Sequence, residues 1–124
     1  MIGGNGLNSA ALLSNANAGL IVVGTAWSKA STDKTNTDFI AAYKTKFGAD
    51  PDQFAAQSYT AMIVLADALK RSGNATDRAA VKKALEGVSS LATPLGAFSF
   101  TADHDVKQPT FVMTVKDGQF IPFQ

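Results

Sequence analysis

The chain has 124 residues, of which 46% are hydrophobic and 17% charged, and its eleven basic and ten acidic residues leave a net charge of +1. This length and balance are ordinary for one globular domain and argue against disorder, and the lack of cysteine excludes disulfides, thiolate metal sites and a cysteine nucleophile. The charges are interspersed, with no basic run longer than two residues, which argues against binding to nucleic acid or an anionic membrane.

The amino-terminal residues predict a short strand followed by a turn. Met1-Ile2-Gly3-Gly4 lacks the basic and apolar regions of a signal peptide and is typical of the end of a buried strand. The stretch Gly3-Gly4-Asn5-Gly6 predicts a loop, because glycines permit backbone angles that other residues avoid. Complete proteins seldom begin in this way, so we expect the sequence to be truncated or to come from a gene fragment.

The next segment predicts a helix and a second strand. Asn8 or Ser9 can cap a short helix that extends to about Ala16. The run Leu20-Ile21-Val22-Val23 lies between glycines and is typical of a strand covered on both faces, as in a parallel sheet. Strand, helix and strand in this order favour an α/β protein built on a βαβ unit.

A polar connection from Thr25 to Asn36 follows this strand and contains the only tryptophan, Trp27. A connection of this length usually crosses between domains or carries function. Trp27 could stack on a ligand, although an aromatic side chain in such a loop more often fills a seam between elements.

Three helices are predicted after this connection, because each segment combines capping residues at its start with a glycine at its end. They run from Thr37 or Asp38 to Gly48, from about Gln53 to Ser72 before Gly73, and from Thr76 or Asp77 to Gly87. The first carries an aromatic stripe at helical spacing, formed by Phe39, Tyr43 and Phe47. The second has the broadest apolar face and is therefore expected to be the most buried; this face consists of Phe54, Tyr59, Met62, Ile63, Ala66 and Leu69.

The carboxyl-terminal part has the pattern of strands. Phe98 and Phe100 alternate with small residues and predict a short strand, and Thr101 to Pro109 predicts a turn. Thr110 to Lys116 predicts a further strand, which Asp117-Gly118 turns into a hairpin.

Residues suited to catalysis or metal binding are scarce. The only histidine, His104, lies between Asp103 and Asp105, and we interpret this triplet as a solvated turn because no second histidine or glutamate cluster completes a metal site. No Gly-x-Ser-x-Gly motif presents a serine nucleophile. We therefore predict a protein that is not an enzyme, with no catalytic residue, metal or cofactor.

Two features could bind a small molecule. The loop of Gly4, Asn5 and Gly6 precedes a helix, so it could hold an anion or a polar ligand group, although a structural turn is the simpler interpretation. The glycine fingerprint of dinucleotide-binding proteins requires a third glycine at the position of Ser9, so this loop is not predicted to bind a dinucleotide cofactor. Phe54 lies at the start of the second long helix, where by itself a place in the core is favoured over a place in a pocket.

Several stretches carry a family pattern when they are taken in order. They are Gly3-Gly4-Asn5-Gly6-Leu7, Gly19-Leu20-Ile21-Val22-Val23-Gly24, Asp38–Gly48, Phe54–Ala61, Val64–Gly73, Leu95–Phe100 and Val115–Phe120. Together they resemble the second half of the leucine/isoleucine/valine-binding proteins, which are type I periplasmic binding proteins. Each motif is weak alone, but the ordered set covers essentially the whole chain and is fairly specific.

This resemblance implies a two-lobed α/β protein that traps a small molecule in its cleft and delivers it to the permease subunits of an ABC importer. By the family pattern, residues 1–26 are second-lobe elements, 37–93 are first-lobe helices, and 94–124 form a return crossover and the last strands. The chain then completes neither sheet, and it needs a missing amino-terminal half that supplies most ligand contacts in the family. A periplasmic location of the full-length protein is also implied.

The resemblance also implies ligand-binding positions. Asn5, between Gly4 and Gly6, stands where amino-acid binders commonly have an acid that pairs with the ammonium group of the ligand. A neutral amide does not neutralise a buried cation, so we expect a weaker preference for amino acids, with a carboxylate, an amide or an aromatic acid as alternative ligands. Phe54 resembles the aromatic residue that lines the cleft from the helix start, and Trp27, near the crossover, is a third candidate.

Two other functions stay open at this point. The same fold could act as a ligand-sensing receptor module instead of feeding a permease. Alternatively, the chain could be a free-standing flavodoxin-like domain that binds a nucleotide at Gly3–Gly6, which predicts a complete parallel sheet. When the chain is expressed alone, without the missing half, we expect its uncovered helix faces to cause self-association.

Overall fold

The computed structural model describes residues 1–15, 19 and 21–123. Within these residues the chain forms an α/β fold with four α-helices and seven strands. The helices are α1 (Ala10–Leu13), α2 (Lys34–Phe47), α3 (Gln53–Ser72) and α4 (Arg78–Glu86). The strands are β1 (Ile2–Gly3), β2 (Val22–Thr25), β3 (Leu91–Thr93), β4 (Gly96–Phe100), β5 (Val106–Lys107), β6 (Phe111–Lys116) and β7 (Gln119–Pro122).

The first sheet has four strands in the order β1-β2-β6-β7. β1 and β2 are parallel and flank α1, with Ile2 opposite Val22, so the predicted βαβ unit is confirmed. β2 then pairs antiparallel with β6, and β6 pairs antiparallel with β7. The sheet is therefore mixed, which contradicts the complete parallel sheet of the flavodoxin-like alternative.

The bounds of the first helix and the second strand differ from those predicted. Ser9 caps α1, its side chain accepting a hydrogen bond in the first turn, but α1 ends at Leu13. The predicted end, Ala16, lies outside the described residues. The strand β2 begins at Val22, whereas the predicted start, Leu20, also lies outside the described residues.

The helix α3 has the bounds that its sequence predicts, because both of its ends are set by local contacts. The Asp52 carboxylate accepts a hydrogen bond of 2.8 Å from the backbone N–H of Ala55, which satisfies one donor of the first turn. At the other end Gly73 has a φ of 69°, the left-handed conformation that terminates many helices and favours glycine.

The helix α2 begins at Lys34, earlier than the predicted cap at Thr37 or Asp38. The buried side chain of Asn36 explains the difference, because its Nδ2 donates a hydrogen bond of 2.9 Å to the carbonyl oxygen of Ser31. This contact ties the first turn of α2 to the preceding connection. The capping pattern of the sequence carries no signal for such a contact.

The remaining helix predictions are confirmed. Asp77 caps α4 by accepting hydrogen bonds from the backbone N–H groups of two residues in its first turn. The aromatic stripe on α2 also forms, since the ring centroids of Phe39 and Tyr43 are 5.8 Å apart and those of Tyr43 and Phe47 are 4.5 Å apart.

The second sheet has three antiparallel strands in the order β3-β4-β5. β4 contains the predicted Phe98–Phe100 strand, and Phe98 packs against Val64 of α3 and Val88. The sequence does not predict β3 or β5, since strands of three and two residues are too short to show an alternating pattern. β5 interrupts the segment Thr101–Pro109 that the sequence predicts as a turn.

The chain returns to the first sheet through the hairpin of β6 and β7. Asp117 and Gly118, which join the two strands, both have positive φ, 50° and 70°. A two-residue turn with this geometry matches the twist of the flanking strands, so the predicted hairpin is confirmed. β6 begins at Phe111, one residue after the predicted Thr110.

The buried face of α3 is not the one that the sequence predicts. Five residues of this helix are buried: Gln53, Ala56, Thr60, Val64 and Ala68. By contrast Phe54, Tyr59 and Met62 are 46%, 51% and 62% exposed, so the expectation that their face turns inward is wrong within this chain. The residues that turn inward instead are smaller: Ala56 packs with Trp27, Phe39 and Leu95, and Val64 packs with Val88 and Phe98. Among the described residues, none of the helices combines the length and the apolar character that crossing a bilayer requires.

The exposed apolar residues of α2 and α3 lead to a prediction about the isolated 124-residue chain. Phe47, Phe54, Tyr59 and Met62 expose apolar surface on two neighbouring helices, and such surface drives association in water. We expect the sedimentation coefficient of the chain to rise with its concentration. The variant Met62→Lys should weaken this association by about tenfold, because a buried methionine contributes roughly 1.5–3 kcal/mol.

The matched control is Ala102→Lys, which adds the same charge at an exposed position in the turn before β5. It should leave the association unchanged. A chain that sediments as a monomer at every concentration would contradict the prediction.

Candidate functional site

The turn between β1 and α1 contacts the amino-terminal end of α3, where Gln53 bonds to Asn5. It contains a single turn of 3-10 helix, Asn5–Leu7, preceded by Gly4 in an extended conformation with a φ of −84°. Among the described glycines, those of this turn do not have positive φ, so the expectation that they supply special backbone angles is wrong. At Gly3 a Cβ atom would lie 2.2 Å from Leu7 Cδ1, so the Leu7 side chain would have to move to accommodate it. Gly4 and Gly6 face open space and are exposed.

The side chain of Asn5 is partly buried and has a fixed orientation. Its Oδ1 accepts a hydrogen bond of 3.0 Å from the backbone N–H of Ala26, which follows β2. A backbone N–H can bond only to the carbonyl side of the amide, so the Nδ2 group must point the other way. Within the described part of the chain no partner meets Nδ2, so this group offers two hydrogen-bond donors.

The side chain of Gln53 connects α3 to this turn. It is 1% exposed, and its Nε2 donates a hydrogen bond to the backbone carbonyl oxygen of Asn5. Its Oε1 accepts a hydrogen bond of 3.0 Å from Thr25 Oγ1. Because Thr25 and Ala26 are consecutive, the contacts close into a loop, which we call the Asn5–Gln53 ring; its members are Asn5, Thr25, Ala26 and Gln53.

A further buried amide supports the ring. Asn8 is 9% exposed, and its Nδ2 donates a hydrogen bond of 2.7 Å to Thr25 Oγ1. The predicted role of Asn8 as an alternative helix cap is therefore replaced by a tertiary contact. None of the side chains in these contacts is ionisable, so uncharged hydrogen bonds hold the turn in place.

Phe54 is the next residue of α3 after Gln53, and its ring is 46% exposed. Asn5 and Phe54 are linked only through Gln53, which bonds to the backbone of Asn5 and precedes Phe54 in α3. Consecutive residues of a helix point in different directions, and the Phe54 ring faces solvent. The sequence pattern gives no signal for Gln53, Thr25 or Asn8 as site residues, because the bonds between them span 17 to 48 positions.

Trp27 is not brought together with these two residues. It is 5% exposed and packs in a core cluster with Phe39, Ala56 and Leu95. Its Nε1 donates a hydrogen bond of 2.7 Å to Asn36 Oδ1. Trp27 also lines a cavity of about 380 Å³, whose wall includes Gln53 and Asn8 but neither Asn5 nor Phe54.

The connection before α3 carries a small cluster of charges outside the ring. Lys29 donates a hydrogen bond to the Asp50 carboxylate, and Lys44 Nζ lies 3.5 Å from it. The hydrogen bond from Lys29 lowers the pKa of Asp50 below its usual value. Because these side chains are exposed to solvent, the ion pairs are screened and stabilise the fold little.

His104 lies in a turn, as the sequence predicts, with a φ of 65° and a side chain that is 65% exposed. Its Nε2 is 3.4 Å from Glu86 Oε1 on α4. In the described ranges no group of three or more histidine, cysteine, aspartate or glutamate side chains is arranged to hold a metal ion.

The burial of Trp27 leads to a prediction about stability. Trp27→Phe removes the indole N–H and leaves Oδ1 of the fully buried Asn36 without a partner, which costs about 1–3 kcal/mol. We expect the free energy of unfolding to fall by that amount, measured by urea denaturation at a protein concentration where the chain is monomeric. The control Phe123→Leu changes an exposed aromatic residue and should have little effect. An unchanged urea midpoint for Trp27→Phe would contradict this structural role.

Comparison with known proteins agrees with this fold. Residues 2–119 match the model of a family described as periplasmic binding protein. The Leu/Ile/Val-binding protein homolog 1 of Brucella abortus (strain 2308) is 36% identical over 81 residues, which are 65% of this chain and 21% of that protein.

Two solved structures are also similar. An ABC transporter substrate-binding protein from Desulfitobacterium hafniense, in complex with Leu, has a TM-score of 0.86 and 27% identity, and the match covers 98% of this chain and 35% of the other. A solute-binding protein of an ABC transporter from Rhodopseudomonas palustris BisB5, in complex with 3,4-dihydroxybenzoic acid, has a TM-score of 0.80 and 28% identity, with coverages of 98% and 35%.

These matches confirm the α/β fold predicted from the sequence and the resemblance on which it rests. The chain corresponds to about a third of the length of each solved relative, so it represents a piece of the type I periplasmic binding protein fold. With a family match that extends from residue 2 to residue 119, this chain belongs to the periplasmic binding protein family.

Proposed function

We propose that the chain forms one side of the ligand cleft in the solute-binding component of an ABC importer, and that the ligand is a branched-chain amino acid or a related small carboxylate. In this proposal the protein binds its ligand without transforming it. The complete protein works in the periplasm and delivers the ligand to ABC permease subunits. Family membership and the two similar transporter proteins support this assignment.

The lobes are divided along the chain as the family resemblance implies. Residues 1–26 belong to the second lobe, 37–93 form helices of the first lobe, and 94–124 contain the return crossover and the last strands. The Asn5–Gln53 ring is then a contact between the lobes, because Asn5 lies in the first range and Gln53 in the second. The rest of the cleft is supplied by the part of the fold that this chain does not span.

The observation that carries the ligand assignment is the orientation of the Asn5 amide. Its Oδ1 is engaged by the N–H of Ala26, so the group that remains for a ligand is Nδ2, a donor. A donor matches a carboxylate, carbonyl or hydroxyl oxygen and does not match an ammonium group. Phe54, which follows Gln53 in α3, offers an exposed apolar surface on which an aliphatic or aromatic ligand can pack.

Both ligands named for the similar structures, Leu and 3,4-dihydroxybenzoic acid, carry a carboxylate. They differ in that only leucine also carries an ammonium group. Because Asn5 provides no negative charge to pair with an ammonium group, we expect the aromatic acid to bind more tightly than the amino acid. The cost of leaving a buried cation unpaired is the physical reason.

Asn5→Asp tests this assignment in the complete gene product. The aspartate oxygens repel a carboxylate and attract an ammonium group, so we expect affinity for 3,4-dihydroxybenzoate to fall and affinity for leucine to rise, each by about tenfold, or roughly 1.4 kcal/mol. Isothermal titration calorimetry with both ligands measures the change.

The matched control is Asn74→Asp, the same replacement at an exposed residue before α4. It should leave both affinities unchanged. An Asn5→Asp protein with an unchanged ratio of the two affinities would show that Asn5 does not contact the ligand.

A further inference from the structure

Gln53 is one of the most completely buried polar residues of the described chain, and it uses both ends of its amide. The side chain is 1% exposed. Nε2 donates to the carbonyl oxygen of Asn5, and Oε1 accepts from Thr25 Oγ1 at 3.0 Å. The family resemblance assigns no role to this residue, and Phe54 beside it is the position that resembles a ligand contact.

The Asn5–Gln53 ring holds Asn5 from two directions. Gln53 fixes the backbone carbonyl of Asn5, and Ala26 fixes the side-chain oxygen. Thr25, which is 1% exposed, joins the two supports because it bonds to Gln53 and is covalently linked to Ala26. A shift of Gln53 or Thr25 breaks the buried hydrogen bond between them, and a shift of Asn5 breaks its partly buried bonds to Gln53 and Ala26, so the ring restricts the position of Asn5.

The same residue also sets where Phe54 lies. Gln53 and Phe54 are consecutive in the first turn of α3, and Asp52 holds that turn by accepting from the N–H of Ala55 at 2.8 Å. The hydrogen bond from Gln53 to Asn5 therefore connects the helix start that carries the aromatic ring to the turn that carries the donor.

We infer that Gln53 is a positioning residue for ligand binding: it aims the Asn5 Nδ2 group and fixes its place relative to the Phe54 ring. This inference rests on the proposed function, since it takes Asn5 and Phe54 as ligand contacts. Gln53 itself does not touch the ligand, because its polar atoms are buried and occupied by Asn5 and Thr25.

An amide fits this position at any pH in the neutral range. One end must donate to a carbonyl oxygen while the other accepts from a hydroxyl group, and glutamine supplies both at neutral charge. Methionine has a similar length but supplies neither. An ionised glutamate keeps the acceptor and loses the donor, and its charge faces the carbonyl oxygen of Asn5.

A double-mutant cycle in the complete gene product tests the inference. Gln53→Met, Asn5→Ala and the double variant are titrated with 3,4-dihydroxybenzoate and with leucine by calorimetry, and the tighter ligand is used for the cycle. With Asn5 present, we expect Gln53→Met to weaken binding by about tenfold. With Asn5→Ala already in place, the same replacement should weaken binding by less than about twofold, because nothing remains to be aimed.

Gln57→Met is the matched control, since it makes the same replacement one turn further along α3, and it should leave the affinity unchanged. Equal losses in both backgrounds would overturn the inference, because Gln53 would then act through general stability. If Asn5→Ala alone leaves the affinity unchanged, the proposed function of Asn5 fails, and the inference fails with it.

Gln53→Glu supplies a second readout, which also serves if Gln53→Met does not fold. Burial raises the pKa of a carboxyl group, and only its protonated form can donate to the carbonyl oxygen of Asn5. Ligand affinity of this variant should therefore be close to that of the unchanged protein near about pH 5 and should fall towards about pH 8. The unchanged protein should show no such fall, since the ring has no ionisable side chain. A flat pH profile for Gln53→Glu would overturn the inference.

Discussion

The arrangement of the candidate site depends on one buried amide, that of Gln53. A polar group this deeply buried costs about 1–3 kcal/mol if it is left without a partner, and here both ends are satisfied by Asn5 and Thr25. The start of α3 therefore cannot move relative to the turn after β1 without exposing unsatisfied groups. The position of the turn, and with it the position of Asn5, follows from this constraint.

Because the ring consists of amides, a hydroxyl and the backbone, its chemistry is set by the direction of hydrogen bonds and not by charge. The backbone N–H of Ala26 donates to the side-chain oxygen of Asn5, so the Nδ2 donor is the group of this side chain that stays available to a ligand. In the proposed cleft this direction separates ligands that present an oxygen from ligands that present an ammonium group. A buried acid at the same place would make the opposite selection by electrostatics.

The elements that the sequence predicts well are those whose signals are local. Asp52 and Gly73 define α3 because a cap and a left-handed terminus act within one turn of the helix, and Asp117-Gly118 defines its hairpin for the same reason. The early start of α2 depends on the burial of Asn36 against the connection, and β5 forms only because β4 lies beside it. A pattern confined to neighbouring residues carries no information about such contacts.

The candidate site divides in the same way. The family resemblance indicates Asn5 and Phe54 as cleft residues, since each lies in a recognisable stretch. It also suggests Trp27, which the structure places in the core with its indole N–H bonded to Asn36. The sequence does not predict a role for Gln53. Its partner Asn5 is 48 positions away, and glutamine is an ordinary residue in the first turn of a helix.

The failure to predict the buried face of α3 has a physical cause that also bears on the whole protein. From Gln53 to Ala66 this helix contains no charged residue, so hydrophobic patterning does not distinguish an inner face from an outer one. Such a helix is typical of an element covered on both sides. Within this chain α4 and the second sheet cover one side, through Thr60, Val64 and Ala68.

The other side of α3, with Tyr59 and Met62, stays exposed. In the proposed two-lobed protein it meets the part of the fold that lies beyond the third of the relatives' length matched by this chain. Burial of that side would hold the body of α3 in place, while Gln53 holds its first turn against Asn5. The helix would then fix the position of the ligand-contacting turn in the second lobe relative to the first lobe.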